Sequence, residues 1–425
     1  MSSVQEQQQQ QNGALNRTLA PSARTVLERH ATELLHHTVE DTFPLAPEVM
    51  TVGSRQYTCP ERFAQEKQQI FSRVPLVLAA SCELPKPGDF KTLEVAGIPV
   101  LLVRNRDGAV HALLNACTHR GAAVASGCGS AARFTCPYHG WTFAQDGGLV
   151  GIASSADFGA VDKAALAMKR FPVAERAGLI WVILDPEGPH DPADMLGGID
   201  ELIAGFDLAG WTRIVSRTMN GPNWKLAFDA HLEFYHIPVL HRDTFGPERS
   251  NRAFYFSHGP HQRVIAPCGR PGDAARDDLY TLGRLPTADE PLDPLLVGEW
   301  ILFPGVSINT FYLKDQRGVL LSIVLPGPDV GTSTTTQTFL AETPPDEATR
   351  AAMEELCAFL AHVVGDEDLP TSALQQKSMA TGLLGEVRFG RNEGGLQHFH
   401  RWLDDLLKAD DSEIPALLAE PCPQR

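Results

Sequence analysis

Apolar residues recur at two different spacings along the chain, and the change of spacing marks where its segments meet. After Pro21 and again after Pro60, apolar positions repeat at helical intervals, which predicts helices over residues 22–37 and 61–71. Short runs rich in apolar and β-branched residues follow and are predicted to be strands. These runs cover residues 76–80, 91–97, 98–105 and 109–116.

The turn at residues 105–108, Asn-Arg-Asp-Gly, separates the last two of these strands and predicts a β-hairpin. We expect the small β unit to close near residues 167–171. A longer segment of mixed pattern follows it. Its predicted strands lie within residues 171–185, 213–218 and 300–340, and its predicted helices begin at Trp224, Asp346 and Gly394.

These patterns predict an α+β fold with two folded units. An all-β domain comes first, and the second domain is expected to have a curved antiparallel sheet that grips a long C-terminal helix. Residues 1–16 are Gln-rich and lack any apolar period, which predicts a disordered N-terminal tail. The last residues are predicted to be a frayed C-terminal tail. The predicted divisions are residues 1–45 (disordered tail and helical arm), 46–170 (β domain), 171–408 (larger domain) and 409–425 (frayed tail).

Composition and charge narrow the class of function. The 425 residues carry a net charge of −16, which argues against nucleic acid and anionic membrane surfaces as partners. The longest apolar runs are far shorter than the roughly 20 residues of a membrane span, and no signal peptide is recognisable at the start. The 8 cysteines are scattered, as expected in a reducing compartment. A cytoplasmic protein is therefore predicted.

Two short Cys/His pairs offer a metal site. Cys117-x-His119 is followed, after 16 residues, by Cys136-x-x-His139. Two thiolates and two imidazoles fit either a tetrahedral zinc site or a Rieske [2Fe–2S] cluster, in which two His replace two Cys on one iron. Each pair mixes one Cys with one His, unlike a zinc finger, and this favours the cluster. Cys128 fits neither pair and is predicted to be a small, buried or semi-exposed free thiol.

A second constellation lies in residues 223–241, NWKLAFDAHLEFYHIPVLH. On a continuous helix, Asp229, Glu233 and His236 would share one face. Pro238 interrupts the helix between His236 and His241 and allows both imidazoles to converge on one ion. His231, in the same stretch, is predicted to be an ordinary surface or core histidine.

Both constellations resemble motifs of one family, the Rieske non-haem iron oxygenases. CTHRG at 117–121 and CPYHGW at 136–141 resemble the two loops of its Rieske domain. Residues 223–241 resemble its iron-binding helix, which has an NWK, an acid three residues before the first His, and a second His five residues later. The resemblance also implies a helix-grip (START-like) catalytic domain.

The resemblance implies a role for each candidate residue. Cys117, His119, Cys136 and His139 would hold the [2Fe–2S] cluster, and His236 and His241 would bind the mononuclear Fe(II). The family's third iron ligand is an acid that precedes a Gln. Matching that Gln to Gln376 gives Asp368, with Asp366 and Glu367 as the alternatives.

Glu233 would be the acid that bridges His236 to the second Rieske histidine of a neighbouring subunit, here His139. Many aromatic dioxygenases of the family have Asp at this place, whereas Glu is usual in the carnitine and betaine monooxygenase branch. Phe234 and Ile237 depart from that branch, which often has Cys at these positions.

The implied function is that of a terminal oxygenase that uses O₂ and electrons from a separate reductase, with or without a ferredoxin. The expected substrate is a small aromatic or hydrophobic molecule, and the alternative is a quaternary amine that is hydroxylated or demethylated. The bridge between subunits implies a homotrimer. Two other classes stay open on sequence: a Rieske electron carrier without catalysis, and a zinc-stabilised ligand-binding protein.

Overall fold

The computed structural model describes residues 19–247, 249–265, 283–287, 289–290, 292–313 and 316–419. The Gln-rich stretch 1–16, predicted to be disordered, lies outside this part. None of the helices in the described ranges combines the length and apolar character that a bilayer span requires.

The helices are α1 Pro21–Glu40, α2 Arg55–Thr58, α3 Pro60–Glu66, α4 Ile199–Ile203, α5 Trp224–Asp229, α6 Ile237–Leu240, α7 Arg242–Phe245, α8 Asp293–Leu296, α9 Glu347–His362, α10 Leu369–Ala380, α11 Gly394–Lys408 and α12 Ile414–Ala419. Two π-helical turns, Lys67–Phe71 and Val363–Asp368, extend α3 and join α9 to α10.

The strands of the N-terminal half are β1 Met50–Gly53, β2 Leu76–Ala80, β3 Asp89–Val95, β4 Ile98–Arg104, β5 Val110–Leu114, β6 Cys128–Ser130, β7 Phe134–Thr135, β8 Thr142–Phe143, β9 Leu149–Gly151, β10 Arg170–Phe171, β11 Val173–Arg176 and β12 Leu179–Val182. Those of the C-terminal half are β13 Thr212–Gly221, β14 Phe254–His258, β15 His261–Ile265, β16 Glu299–Leu302, β17 Val306–Leu313, β18 Gln316–Pro326, β19 Ser333–Ala341 and β20 Glu386–Phe389.

The small β unit contains the predicted hairpin. β4 and β5 pair antiparallel, and Gly108 in their turn has φ 90°, a conformation that glycine adopts without strain. The hairpin is the centre of a five-stranded sheet with the order β10-β5-β4-β3-β6. A separate three-stranded sheet, β7-β8-β9, carries the second Cys/His pair in the loop between β7 and β8.

The strand pairing moves both predicted boundaries of this unit. β12 pairs with β2, Leu179 lying opposite Ala80, and β11 pairs with β12, so the unit continues past the division predicted at residue 170. At the other end, β1 pairs with β20 near the C-terminus, so residues 50–53 pack with the second unit. Both shifts come from pairings between residues distant in sequence, which apolar spacing does not reveal.

The larger unit is built on one antiparallel sheet. Its order is β13-β19-β18-β17-β16-β15-β14. α11 packs against one face, where Phe399 and Leu403 join Ile301 and Val324 of the sheet in one buried cluster. An antiparallel sheet against a C-terminal helix, following an all-β unit, confirms the predicted α+β class.

The predicted helical arm covers the opposite face of this sheet. The buried side of α1 includes Leu27 and Leu34, which pack in one cluster with Trp300 and Ile308 of the sheet. His30 of α1 stacks on the ring of Phe256, with centroids 4.3 Å apart. The arm therefore covers the sheet face opposite α11, so the α11 side of the sheet is where the candidate functional residues lie.

The C-terminal stretch is partly ordered, contrary to the prediction of a frayed tail over 409–425. α12 forms there because Ile414 and Leu418 are buried and bring their apolar side chains into the main core cluster. Residues 420–425 lie outside the described part.

Candidate metal centres

The two Cys/His pairs form two equivalent loops. In the first, the Gly121 N–H donates to the Cys117 carbonyl at 2.8 Å; in the second, the Gly140 N–H donates to the Cys136 carbonyl at 3.0 Å. Both glycines have positive φ, 80° and 71°, which closes each turn after its histidine. The same backbone geometry therefore presents one thiol and one imidazole from each side.

The donor atoms of these loops fit a two-iron cluster. Both cysteines are buried, and Nδ1 of His119 and of His139 is buried without a hydrogen-bond partner among the described residues. The two imidazole rings lie 4.7 Å apart between centroids. Unpartnered buried nitrogens are costly unless a metal takes them, so the four side chains suit a cluster bound by two Cys and two His.

The surroundings of the cysteines favour one thiolate in particular. Burial raises the pKa of the Cys117 thiol, and the adjacent Cys136 adds to the rise. Burial acts in the same direction on Cys136, but backbone N–H groups of Tyr138 and His139 outweigh it and lower the pKa of Cys136. Trp141 stacks on the His119 ring at 4.9 Å and fixes its plane.

The second constellation differs from a continuous helix. α5 ends at Asp229, residues 230–236 form turns, and α6 begins at Ile237. The chain therefore breaks before His236, and Pro238 occupies the first turn of α6, where its missing N–H costs nothing. The predicted convergence of His236 and His241 occurs, although the break precedes the proline.

Buried polar contacts hold α5 in place. The Lys225 ammonium contacts Glu66 Oε2 at 2.5 Å, with both side chains fully buried, and Trp224 Nε1–H donates to the same oxygen at 3.0 Å. The Asn223 backbone N–H donates to Gln376 Oε1 at 3.1 Å. The NWK residues thus tie α5 to α3 and to α10, which begins directly after Asp368.

His236, His241 and Asp368 come together at one point. One donor atom from each lies within 4.8 Å of the other two. His241 Nε2 is 3.1 Å from Asp368 Oδ1, and His236 Nε2 is 3.8 Å from the same oxygen. Two imidazoles and one carboxylate on one side of an ion are the ligand set of non-haem iron(II) oxygenases.

A carboxylate also holds the far nitrogen of each imidazole. Glu233 Oε1 contacts His236 Nδ1, and the His236 backbone N–H donates to Glu233 Oε2 at 3.1 Å. Glu367 Oε2 lies 2.5 Å from His241 Nδ1. Both Nε2 atoms are thereby turned toward Asp368, because a carboxylate at Nδ1 fixes the ring and its tautomer.

The three neighbouring acids take three different positions. Asp368 reaches the point between the histidines, Glu367 lies behind His241, and Asp366 is on the surface, 2.6 Å from His362. Sequence reasoning considered Glu367 only as a ligand and missed its contact with His241. Burial raises the pKa of Glu367, but hydrogen bonds from Thr244 and His241 outweigh it, so the net shift is downward.

An acidic pocket of about 210 Å³ opens beside Glu233. Asp229, Glu393 and Tyr57 line it, and the Tyr57 hydroxyl donates to Asp229 Oδ2 at 2.8 Å. Burial, with the charges of Glu233 and Asp229, raises the pKa of Glu393. His236 and Asp368 line the same pocket, so this concentration of carboxylates adjoins the meeting point of His236, His241 and Asp368.

His231 has a more specific environment than predicted. Its Nδ1 lies 2.9 Å from Glu299 Oε1 on β16. Only the tertiary fold brings these two residues together, since 67 residues separate them along the chain.

Two family models match the chain in the order of its two units. The model described as Rieske [2Fe-2S] domain matches residues 74–165. The model described as ring hydroxylating alpha subunit (catalytic domain) matches residues 208–409.

Individual relatives differ in substrate. The carnitine monooxygenase oxygenase subunit of Escherichia coli K12 is 29% identical over 378 residues, 85% of this chain and 95% of the relative. The anthranilate 1,2-dioxygenase large subunit of Acinetobacter baylyi is 30% identical over 202 residues, 45% of this chain and 43% of the relative. A crystal structure of a quaternary ammonium Rieske monooxygenase with γ-butyrobetaine superposes with a TM-score of 0.68 at 22% identity, covering 84% of this chain and 95% of that one.

Proposed function

The chain belongs to the Rieske non-haem iron oxygenases, and on that premise we propose how its residues divide the work. Cys117, His119, Cys136 and His139 hold the [2Fe–2S] cluster. A second set of residues, named below, binds the mononuclear Fe(II), and Glu233 connects this iron site to the cluster of the neighbouring subunit. The second set consists of His236, His241 and Asp368.

The observation that carries the proposal is the meeting of His236, His241 and Asp368, with a carboxylate behind each imidazole. A Rieske electron carrier needs only the two Cys/His loops, so that function does not explain why His236, His241 and Asp368 meet. A zinc-stabilised binding protein equally leaves this second site without a role. The oxygenase uses both sites.

When bound, the cluster supplies electrons one at a time and the mononuclear iron supplies open positions for reaction with O₂. The chain's own residues set the geometry. Glu233 and Glu367 hold the Nδ1 protons of His236 and His241, so that each Nε2 is available to the metal. Membership of the family implies that the electrons come from a separate reductase, directly or through a ferredoxin, and that the organic substrate is small.

The connection between subunits is supported by the surfaces that would meet. Tyr138, beside His139, is 59% exposed, and Arg120 lies over its ring at 5.3 Å. This basic, aromatic tip complements the acidic pocket at Glu233. A tip on one copy entering the pocket of the next is a head-to-tail contact, which closes into a ring when the rotation permits. We propose that the ring has three copies and is a homotrimer. We also propose that the protein is cytoplasmic.

The substrate class has two candidates. A quaternary amine is favoured by Glu233 and by the match to the carnitine enzyme over 95% of that relative. An aromatic molecule is supported by the anthranilate dioxygenase relative. Phe245, whose ring is 5.4 Å from that of His241 and 5.8 Å from that of Phe359, offers an aromatic wall that suits either a cation or another ring.

Substituting Glu233 with Gln tests the proposed function. Gln keeps the shape and removes the charge, so we expect both metals to stay bound while substrate-dependent O₂ uptake falls by about 100-fold. Iron content, the visible spectrum after dithionite reduction and product formation are measured together. Near-normal turnover with full metal content contradicts the role of Glu233, and absence of mononuclear iron in the wild type contradicts the oxygenase.

Mixed oligomers test the assembly. Cys117→Ser removes the cluster and His236→Ala removes the iron site, so each variant is expected to be inactive by itself. In rings that contain both, some intact iron sites face an intact cluster of a neighbouring copy, and we expect activity to return in part. Co-expression with two different affinity tags isolates such rings. No activity in verified mixed rings would exclude the route between subunits.

A further inference from the structure

A buried hydrogen-bonded group lies on the α11-facing side of the sheet, outside the residues assigned above. Glu299 Oε1 is 2.9 Å from His231 Nδ1 and also accepts a hydrogen bond from the Ser307 hydroxyl. Glu299 is 5% exposed and Ser307 1% exposed. A carboxylate with two partners fixes the plane of the imidazole in the same way as Glu233 fixes that of His236.

Polar side chains continue from this group across the sheet. Ser307 lies opposite Ser322, and Ser322 opposite Gln337, so the three side chains share one face. They form a row about 10 Å long, from the usual spacing of strands. Ser322 Oγ and both amide atoms of Gln337 are fully buried and have no hydrogen-bond partner among the described residues.

This row faces the interior that holds the iron site. Ile301 lies opposite Ser307 on the same face and packs in one cluster with Phe228 of α5. His231 follows α5 and precedes His236 by five residues. A buried amide and hydroxyl without partners are unfavourable in an empty protein interior, and they indicate a polar ligand.

The second ring nitrogen of His231 is available to such a ligand. Its Nδ1 is occupied by Glu299, 15% of the side chain remains exposed, and Nε2 bonds to no other group in the described ranges. Burial lowers the pKa of His231, but Glu299, with a contribution from Asp368, outweighs burial and raises it. The Glu299 carboxylate at Nδ1 favours the protonated imidazole, and in that form Nε2–H is a second donor on a ring that stays partly exposed.

We propose that His231, held by Glu299, is a specificity-determining residue that donates a hydrogen bond from Nε2 to a carboxylate on the substrate. The substrate is then a small organic acid, and Ser322 and Gln337 provide further hydrogen bonds along its polar part. This inference rests on the proposed function and deepens it, because a carboxylate handle is compatible with both a quaternary amine and an aromatic ring.

The test compares each acid with a matched compound that lacks the carboxylate. The pairs are γ-butyrobetaine with butyltrimethylammonium, and anthranilate with aniline. Dissociation constants are measured by calorimetry without O₂ or reductase, on protein with verified cluster and iron content. For at least one pair, we expect the acid to bind the wild type about 10- to 100-fold more tightly, the range of a charge-assisted hydrogen bond.

Three variants separate the parts of the proposal. His231→Phe keeps an aromatic ring without a donor and is expected to abolish the preference for the acid, while the affinity for the counterpart that lacks the carboxylate stays unchanged. Glu299→Gln keeps an acceptor for Nδ1 and removes the charge, so a smaller preference is expected. The matched control is His362→Gln, which removes the imidazole of a surface His–carboxylate pair, and it should behave as the wild type.

The outcomes distinguish this inference from the proposed function. Equal binding of acid and counterpart in every pair overturns the inference, as does an unchanged preference in a metal-replete His231→Phe protein. If His231→Phe fails to fold, which its spectrum and iron content reveal, loss of the preference in Glu299→Gln decides. Failure of the proposed function shows itself separately, as wild-type protein without mononuclear iron or without O₂-dependent product.

Discussion

Replacing Asp368 with Ala is expected to remove the mononuclear iron and to spare the cluster. Asp368 is the sole carboxylate that the structure places between His236 Nε2 and His241 Nε2 among the described residues. Removing a residue that only hydrogen-bonds to a metal ligand lowers metal affinity or activity about 10- to 100-fold. Removing the ligand itself should therefore lower the affinity for iron at least about 100-fold. Iron should fall from about three to about two atoms per chain, because the cluster holds two.

The matched control is Asp366→Ala. Asp366 lies two residues away, carries the same side chain and is 69% exposed beside His362. We expect its iron content, red-brown colour and turnover to equal those of the wild type. Loss of mononuclear iron from this variant, with retention in Asp368→Ala, would show that the acids are assigned in the wrong order.

Replacing Cys117 with Ala is expected to abolish the cluster. Its visible colour and the Rieske electron paramagnetic resonance signal should both disappear, and turnover should fall to background, since the proposed function delivers electrons to the iron site through the cluster. Mononuclear iron should remain, because that site is built on α5–α7 and α10 with contacts to α3. Optical and resonance spectra with an iron count measure all three effects.

Cys128→Ala controls for the loss of a thiol. Cys128 lies between the two Cys/His pairs on β6, a short strand whose three residues are all exposed, so the prediction of a buried or semi-exposed thiol is wrong. Its replacement should leave the cluster and the activity intact. A Cys117→Ala protein that retains the Rieske signal would overturn the assignment of the four ligands.

Some features follow from local sequence and were predicted on that basis. The β4–β5 hairpin depends on a four-residue turn. α1 and α11 depend on apolar residues at helical spacing, which form one face of the helix that packs against the core. The Cys/His loops are also local, since each closes through one hydrogen bond between residues four apart. Short-range geometry of this kind is encoded by the residues themselves, and the two Cys/His pairs could therefore be proposed as cluster ligands without a structure.

The iron site was only partly determined in this way. The residues 223–241 indicate His236, His241 and Glu233, but the order of three adjacent acids does not reveal which one reaches the two histidines. The π-helical turn at Val363–Asp368 decides it, because it directs Asp368 to the histidines, Glu367 behind His241 and Asp366 to solvent. Helical phase at such a turn is set by the packing of α9 and α10, which the sequence pattern does not show.

Contacts between distant segments were decided by the tertiary structure alone. The pairing of β12 with β2 and of β1 with β20 places the unit boundaries, and the contact of His231 with Glu299 changes an ordinary histidine into one with a fixed orientation. Sequence by itself determined which side chains are available for chemistry and how each loop turns. Which of these side chains come into contact depends on strand register and packing across the whole chain. The native fold is the combination of long-range contacts with the lowest free energy, and no single segment determines that combination.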